Sequence, residues 1–328
     1  MRPNQPPTGR ITLVVLAIVA GAMAFPWHSA RERWVLGIAI VIAITLLARW
    51  RGLPVTTILG RRLAMRRQSR GARSAVQSAT DVRTTALLRV TPPESGLDAL
   101  PLPLIASYAD RYGLRADAVR VTSRDFASDT GARQRETWIG LTLSAAHNLA
   151  ALQARSPQIP LHETAEVAAR RLADHLRESG WTAAIAEPDD IPELYARSAR
   201  ETWGGIEQGS GDYVAAYQVK ADNALPNTLA AIWSYPVRET WTAVEITGAG
   251  DQQTLAVACA IRTDAPPAAG GPLPGLISQS GSHRPALTAL HPLSTQRLDG
   301  HVALPEALLL TRLRWPSKIV QQPSAALG

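Results

Sequence analysis

The chain has 328 residues, with 34 Lys+Arg against 27 Asp+Glu, seven His, one Cys and a formal charge of +7. A single cysteine excludes an intrachain disulfide framework, a four-thiolate zinc site and a CxxC redox pair, and 24 Pro with 23 Gly is ordinary usage that excludes a collagenous or wholly disordered chain. The charge is polarised: residues 1–80 hold twelve Arg and one acid, Glu32, for +11, so the remaining 248 residues carry −4 and offer no basic surface for nucleic acid.

The first elements are two uncharged apolar runs, Ile11–Trp27 (ITLVVLAIVAGAMAFPW) and Trp34–Ala48 (WVLGIAIVIAITLLA). Each is about as short as a spanning helix can be, since a roughly 30 Å hydrocarbon core takes roughly 17–25 residues. They predict a transmembrane hairpin over residues 1–50, with helices at about 11–27 and 34–50 joined by the short loop His28–Arg33. Trp27, Trp34 and Trp50 stand where indole rings prefer the membrane interface. Ala20, Gly21 and Ala24 would let a neighbouring helix approach closely. Eight arginines follow, from Arg49 to Arg73, with no acid until Asp81. Positive-inside bias then places both termini and the main domain in the cytoplasm of a multi-pass membrane protein. Ala22-Met23-Ala24 resembles a signal-peptidase site, but Pro26 crowds the cut and a second apolar run follows at once. Residues 51–80 form a basic juxtamembrane segment in which Val55, Ile58, Leu59, Leu63 and Met65 alternate with arginines. An amphipathic helix on anionic lipid, worth on the order of 1 kcal/mol per basic residue, and a solvated topology signal both fit it.

Residues 81–263 predict a mixed α/β cytoplasmic domain. Thr84–Val90, Ala118–Thr122, Trp138–Leu143, Trp181–Ala186, Trp241–Thr247 and Thr254–Thr263 read as strands. His162–Ser179 reads as a helix, with Val167, Leu172 and Leu176 on its apolar face, Ala165, Ala168 and Ala169 beside them, and Gly180 as its stop. Ile191–Thr202 and Pro226–Trp233 also read as helices. Residues 264–281, with four Pro and four Gly, read as a loop or linker, and 282–328 as a C-terminal segment packing on the domain and ending in a loose tail from Ser317.

Chemistry-bearing patterns all fall short. His162-Glu163-Thr164-Ala165-Glu166 begins like a metalloprotease helix, but Glu166 stands where the second His belongs. Cys259 lies among Leu255, Val257 and Ile261 on one strand face, as a buried thiol does. No phosphate-binding GxxxxGK[ST] occurs, and Gly209-Ser210-Gly211 and Gly248-Ala249-Gly250 read as turns. Ser278 replaces the glycine a nucleophile elbow at Ser280 needs. Asp189-Asp190 reads as a helix-start signal, and no Asp-x-Asp triplet stands anywhere. His283, His291 and His301 have no common ligand spacing. The expectation is no catalytic, cofactor-binding or metal residue and no cofactor. Arg-Glu-Thr-Trp occurs three times, at Arg135–Trp138, Arg200–Trp203 and Arg238–Trp241. No repeat period joins the copies, which read as core Trp anchors or as an Arg/Trp interface.

Asp110–Asp125, Trp138–Trp181 and His283–Gly300, with the RWVLGIAI membrane run, resemble the EccE family of the mycobacterial ESX (type VII) secretion membrane complex. The length and short C-terminus look most like the form in the third ESX system. The resemblance implies a non-catalytic structural subunit of the inner-membrane complex beside EccB, EccC (the ATPase) and EccD components, in a system associated with iron and zinc acquisition. The competing reading is a membrane-anchored cytoplasmic enzyme such as a glycosyltransferase, which needs a deep pocket with convergent carboxylates.

Overall fold

The computed structural model describes residues 49–50, 53–54, 82–93, 99–128, 132–268, 270–304 and 308–317. The chain divides into two units, Met1–Ala75 and Val76–Gly328. In the first, Arg49–Trp50 pairs antiparallel with Leu53–Pro54. The two apolar runs and nearly all of the basic segment after them lie outside the described residues. Among the described residues no helix is long and apolar enough to cross a membrane.

The second unit is built on a twelve-stranded sheet. In chain order, β1 (Arg83–Thr91), α1 (Leu102–Ala106) and the short β2 (Asp110–Arg111) precede the long hairpin β3 (Leu114–Ala127) and β4 (Arg133–Ser144). Helices α2 (Leu149–Gln153) and α3 (Leu161–Glu178) lead to β5 (Thr182–Ile185). Then come β6 (Arg200–Glu201), β7 (Ile206–Glu207), β8 (Tyr213–Val219), α4 (Leu225–Trp233) and the hairpin β9 (Glu239–Thr247) and β10 (Thr254–Thr263). The described chain closes with β11 (Leu276–Ser278), α5 (His283–Leu290), β12 (Val302–Ala303) and α6 (Leu308–Arg312). The order across the sheet is β5-β1-β4-β3-β9-β10-β8-β7-β6, with β2 beside β3, β11 beside β8 and β12 beside β10. Every pairing is antiparallel.

Period-two alternation sends each strand's side chains to two faces, and both faces are covered. On the first, Leu88, Val121, Ile139, Leu141, Val244, Val257 and Ile261 pack with α1, α3, α4 and Leu310, Leu313 and Trp315 near the C-terminus. On the second, Leu87, Trp138, Trp241, Ala243, Ala256 and Ala260 pack against Ile191 and Leu194, then Leu287, Leu290 and Leu298 from α5 and the segment after it. That double cover is why β9, in the middle of the order, is buried at all nine positions. Gly140 on β4 admits the second cover, because a Cβ there would stand 3.1 Å from the Pro292 carbonyl oxygen.

The α3 helix buries Leu161, Thr164, Ala165, Ala169, Leu172, Ala173 and Leu176, a stripe at three- and four-residue steps. Val167, expected on that stripe, is 43% exposed; it stands two residues from Ala165, well round the helix from it. At the helix end Gly180, at φ 88°, donates its N–H to the Arg177 carbonyl at 2.9 Å, and Trp181 donates to Leu176 at 2.9 Å. This 5→2 and 6→1 pair is a Schellman stop, with buried Trp181 and Leu176 as its apolar contact. Gly180→Ala puts a Cβ in a left-handed conformation and is expected to cost roughly 1–2 kcal/mol, read as a lower urea midpoint with an unchanged slope.

Two expectations are corrected. Ile191–Thr202 is not a helix: turns run to Ala199, and Arg200–Glu201 is a strand. Tertiary partners take its backbone groups, since the Leu194 carbonyl accepts Arg262 Nη2 at 2.9 Å and the Ala196 N–H donates to Gln208 Oε1 at 2.5 Å. Within the segment read as a loop, Leu276–Ser278 adds a strand to β8 through Leu276↔Val219, Ile277↔Gln218 and Ser278↔Tyr217.

Candidate functional site

The residues weighed for chemistry are engaged in structure. His162 is exposed on α3, with Nε2 3.2 Å from Glu166 Oε1 and Nδ1 3.2 Å from Thr84 Oγ1. Cys259 is buried on β10, and burial pushes its thiol far up from its ordinary range, out of nucleophilic use. Ser280 Oγ is 3.0 Å from Ser278 Oγ. Asp190 accepts the Glu187 N–H at 3.3 Å and caps a single 3₁₀ turn, Pro188–Asp190, rather than a longer helix. Gly209, Gly211, Gly248 and Gly250 all have positive φ, as turn residues do. Among the described residues no three His, Cys, Asp or Glu side chains group as a metal site.

The three C-terminal histidines share one task without sharing a ligand. His283 Nδ1 accepts the Ala216 N–H at 3.1 Å, fastening α5 to β8. The His291 carbonyl accepts from Arg120, and burial lowers the pKa of its ring, with the Arg120 charge adding to the effect. His301 Nε2 donates to Glu245 Oε1 at 2.9 Å. Arg120 on β3 and Glu245 on β9 are register partners at the centre of the sheet, 4% and 0% exposed at their side chains. The guanidinium holds Glu245 Oε2 through Nε (2.9 Å) and Nη2, and donates to the carbonyls of Ala289 (2.7 Å), His291 (3.1 Å), Ser294 (3.3 Å) and Gln296 (2.5 Å). Glu245 Oε1 accepts the Leu298 N–H at 3.1 Å. Burial works to raise the Glu245 pKa; the hydrogen bond from His301 and the Arg120 charge outweigh it and hold the carboxyl below its ordinary value. This buried network clasps residues 289–301 onto the second face.

Two of the Arg-Glu-Thr-Trp copies prove to be equivalent strand entries. In β4 and β9 the motif puts Glu and Trp, two residues apart, on the second face. Trp138 and Trp241 stack at 5.6 Å and 10°. Their glutamates join a row of alternating charges across five strands: Arg89 to Glu136 (2.8 Å), Glu136 to Arg124 (3.3 Å), Arg124 to Glu239 (2.5 Å) and Glu239 to Arg262. The last is an ion pair at 2.7 Å whose angle falls outside hydrogen-bond range, and Arg262 continues to Asp212 at 3.0 Å. The motif arginine of β4, Arg135, faces the other way, where it grips Asp125 with two 2.6 Å bonds and donates to the Pro316 carbonyl at 2.8 Å. The third copy does separate work: Glu201 accepts the backbone N–H of Arg284 at 3.0 Å in the first turn of α5.

The first face carries an open groove of about 230 Å³, with Leu114, Ala116, Leu141 and Leu143 of the sheet as its floor. Pro160 and the α3 residues Glu163 to Arg171 form one wall, and Tyr108, Arg111 and Tyr112 the other. Tyr112 is 47% exposed at φ 57°, a backbone region that non-glycine residues rarely adopt. Its ring lies under the guanidinium groups of both Arg171 (4.9 Å) and Arg111 (5.2 Å). Burial pushes the Tyr108 phenol up to about 12, so it adds no negative charge. Glu163 is the one carboxylate among the lining residues, against Arg111, Arg155 and Arg171. Among the described residues none of those three arginines pairs with a carboxylate; Arg155 donates to the Ala151 carbonyl at 2.7 Å and Arg111 to Ser107 Oγ at 2.8 Å.

ESX-3 secretion system protein EccE3 of Mycobacterium tuberculosis (strain H37Rv) is 54% identical over 318 residues, covering 96% of this chain and 94% of that protein. The same protein from strain CDC 1551 gives the same figures. EccE3 of Mycolicibacterium smegmatis is 48% identical over 310 residues, 94% of this chain and 95% of that one. This chain belongs to the EccE family. The family model, described as "Putative type VII ESX secretion system translocon, EccE", matches residues 131–219. Those residues run from β4 through α3 to β8, so the span diagnostic of EccE takes in Trp138, Glu136 and the α3 wall of the groove. The sequence marked the tryptophans through the repeated motif. It held no sign of the groove, because Val167 read as core and Tyr112, Arg155 and Arg171 are far apart along the chain.

Proposed function

We propose that the chain is a non-catalytic structural subunit of a type VII (ESX) protein secretion membrane complex in the cell inner membrane. The observation that carries this reading is identity of about half the residues, over nearly the full length, to proteins named for the ESX-3 secretion system. The apolar runs 11–27 and 34–48 form a two-helix anchor, the second ending before the Arg49–Trp50 strand, and the arginines from Arg49 to Arg73 hold the main domain on the cytoplasmic side and meet lipid headgroups. Partners are EccB, EccC ATPase and EccD components, and the exported cargo is linked to iron and zinc acquisition. The internal chemistry supports a scaffold: buried charges and histidines clasp the chain's own segments, and the open groove offers one carboxylate where a transferase needs several.

Mild detergent extraction of a tagged full-length chain, followed by a native gel and mass spectrometry, tests the reading. The expected result is a megadalton species containing an ATPase with several nucleotide-binding domains. A species near 35 kDa, stable in several detergents and free of partners, overturns it.

A further inference from the structure

The groove between α3 and the Tyr112 turn has features that internal packing does not require. Val167 stands beside it with 43% of its surface exposed, and Tyr112, in the two-residue turn that joins β2 to β3, is 47% exposed at its rim. The two arginines stacked on the Tyr112 ring fix the ring's position at the rim. Its volume of about 230 Å³ is below the roughly 300–1,000 Å³ of small-molecule sites and suits a single large side chain. The rim composition, Tyr with Arg around an apolar floor, is that of protein–protein anchor pockets. Three arginines against Glu163 set the sign of what fits. A lipid surface would be met by a protruding apolar edge, whereas this site is concave.

We propose that the groove docks a short acidic segment of a neighbouring subunit. That segment inserts one large apolar side chain against Leu141 and Val167 and presents carboxylates to Arg155 and Arg171. The proposal rests on the subunit reading above and names one of its contact faces.

The test places p-benzoylphenylalanine at Val167, and separately at Tyr112, in the full-length chain in native membranes. Irradiation is followed by a native gel and by mass spectrometry of the adducts. The expected adduct, from either position, is a complex subunit joined through a segment with at least two Asp or Glu beside a large apolar residue. Its yield falls at least fivefold in Arg155→Glu/Arg171→Glu, both exposed positions, while the doubly substituted chain still migrates in the large complex. Adducts with lipid only, adducts with a basic or uncharged segment, or a yield indifferent to the two arginines each overturn the proposal. A chain that migrates in the large complex with no adduct at either position removes the groove proposal and leaves the subunit reading standing. A chain that migrates alone without adducts removes both.

Discussion

Arg120→Met is expected to destabilise the purified full-length chain by about 3–5 kcal/mol at neutral pH, the cost of leaving a buried partner charge uncompensated. Glu245 would keep only the His301 bond at 2.9 Å and the Leu298 N–H at 3.1 Å, while four carbonyls lose a shared donor. The pH dependence carries a sign. In the native chain the Glu245 pKa lies below its ordinary value, so its contribution is complete above the unfolded carboxylate pKa and is lost as pH falls through the folded one. Without Arg120, burial is opposed by His301 alone, so the Glu245 pKa rises relative to the native chain and protonation relieves the variant as the solution is acidified. The gap between the two proteins should therefore narrow from pH 7.5 to pH 5 in urea titrations. The double variant Arg120→Met/Glu245→Gln should recover only part of the loss, because the carbonyls of residues 289–296 remain without their donor. A constant gap, or full recovery, would show that the guanidinium does not clasp that segment.

Trp315→Ala is expected to cost about 3–5 kcal/mol, as for other fully buried large aromatics. The indole meets Trp233 edge-on at 5.3 Å and 76° and donates to Ser123 Oγ at 2.7 Å. The Trp315 carbonyl accepts the Leu100 N–H at 2.9 Å, and Pro316 bridges to Ala99. The loss should be local as well as global: hydrogen exchange should quicken first at Leu100 and along residues 308–317, ahead of the β3–β4 and β9–β10 ladders. Uniform quickening would mean that this segment is not a separable clasp.

Elements whose own pattern dictates them were legible in the sequence. The stripe and glycine stop of α3, and the alternation in β4, β9 and β10, rest on residues close in sequence; α3, β9 and β10 lie within two residues of their expected bounds, while β4 begins at Arg133, five residues before the expected Trp138, because pairing with β3 carries the ladder out to Ala127. Ile191–Thr202 failed because its backbone is satisfied by Arg262 and Gln208, whose positions no local pattern reports. The Arg-Glu-Thr-Trp copies were visible, yet their meaning required knowing that β4 and β9 both flank β3, which turns two distant motifs into one stack and one charge row. The groove was illegible for the same reason: its walls come from the β2–β3 turn and α3, and its key surface residue carries the side chain of a core residue.

The Arg120 clasp also sets a timetable for biosynthesis. Its partners lie 125 residues downstream at Glu245 and 169 to 176 residues downstream at Ala289 to Gln296. A nascent chain whose sheet has formed through β10 has only part of its second cover, Ile191 and Leu194 without Leu287, Leu290 and Leu298, and a charge pair lacking its roof. Contacts of such separation slow folding and leave partly formed species prone to aggregate. Ribosome stalling or truncation anywhere before residue 298 would therefore yield a fragment for the quality-control machinery to remove, rather than a smaller working domain.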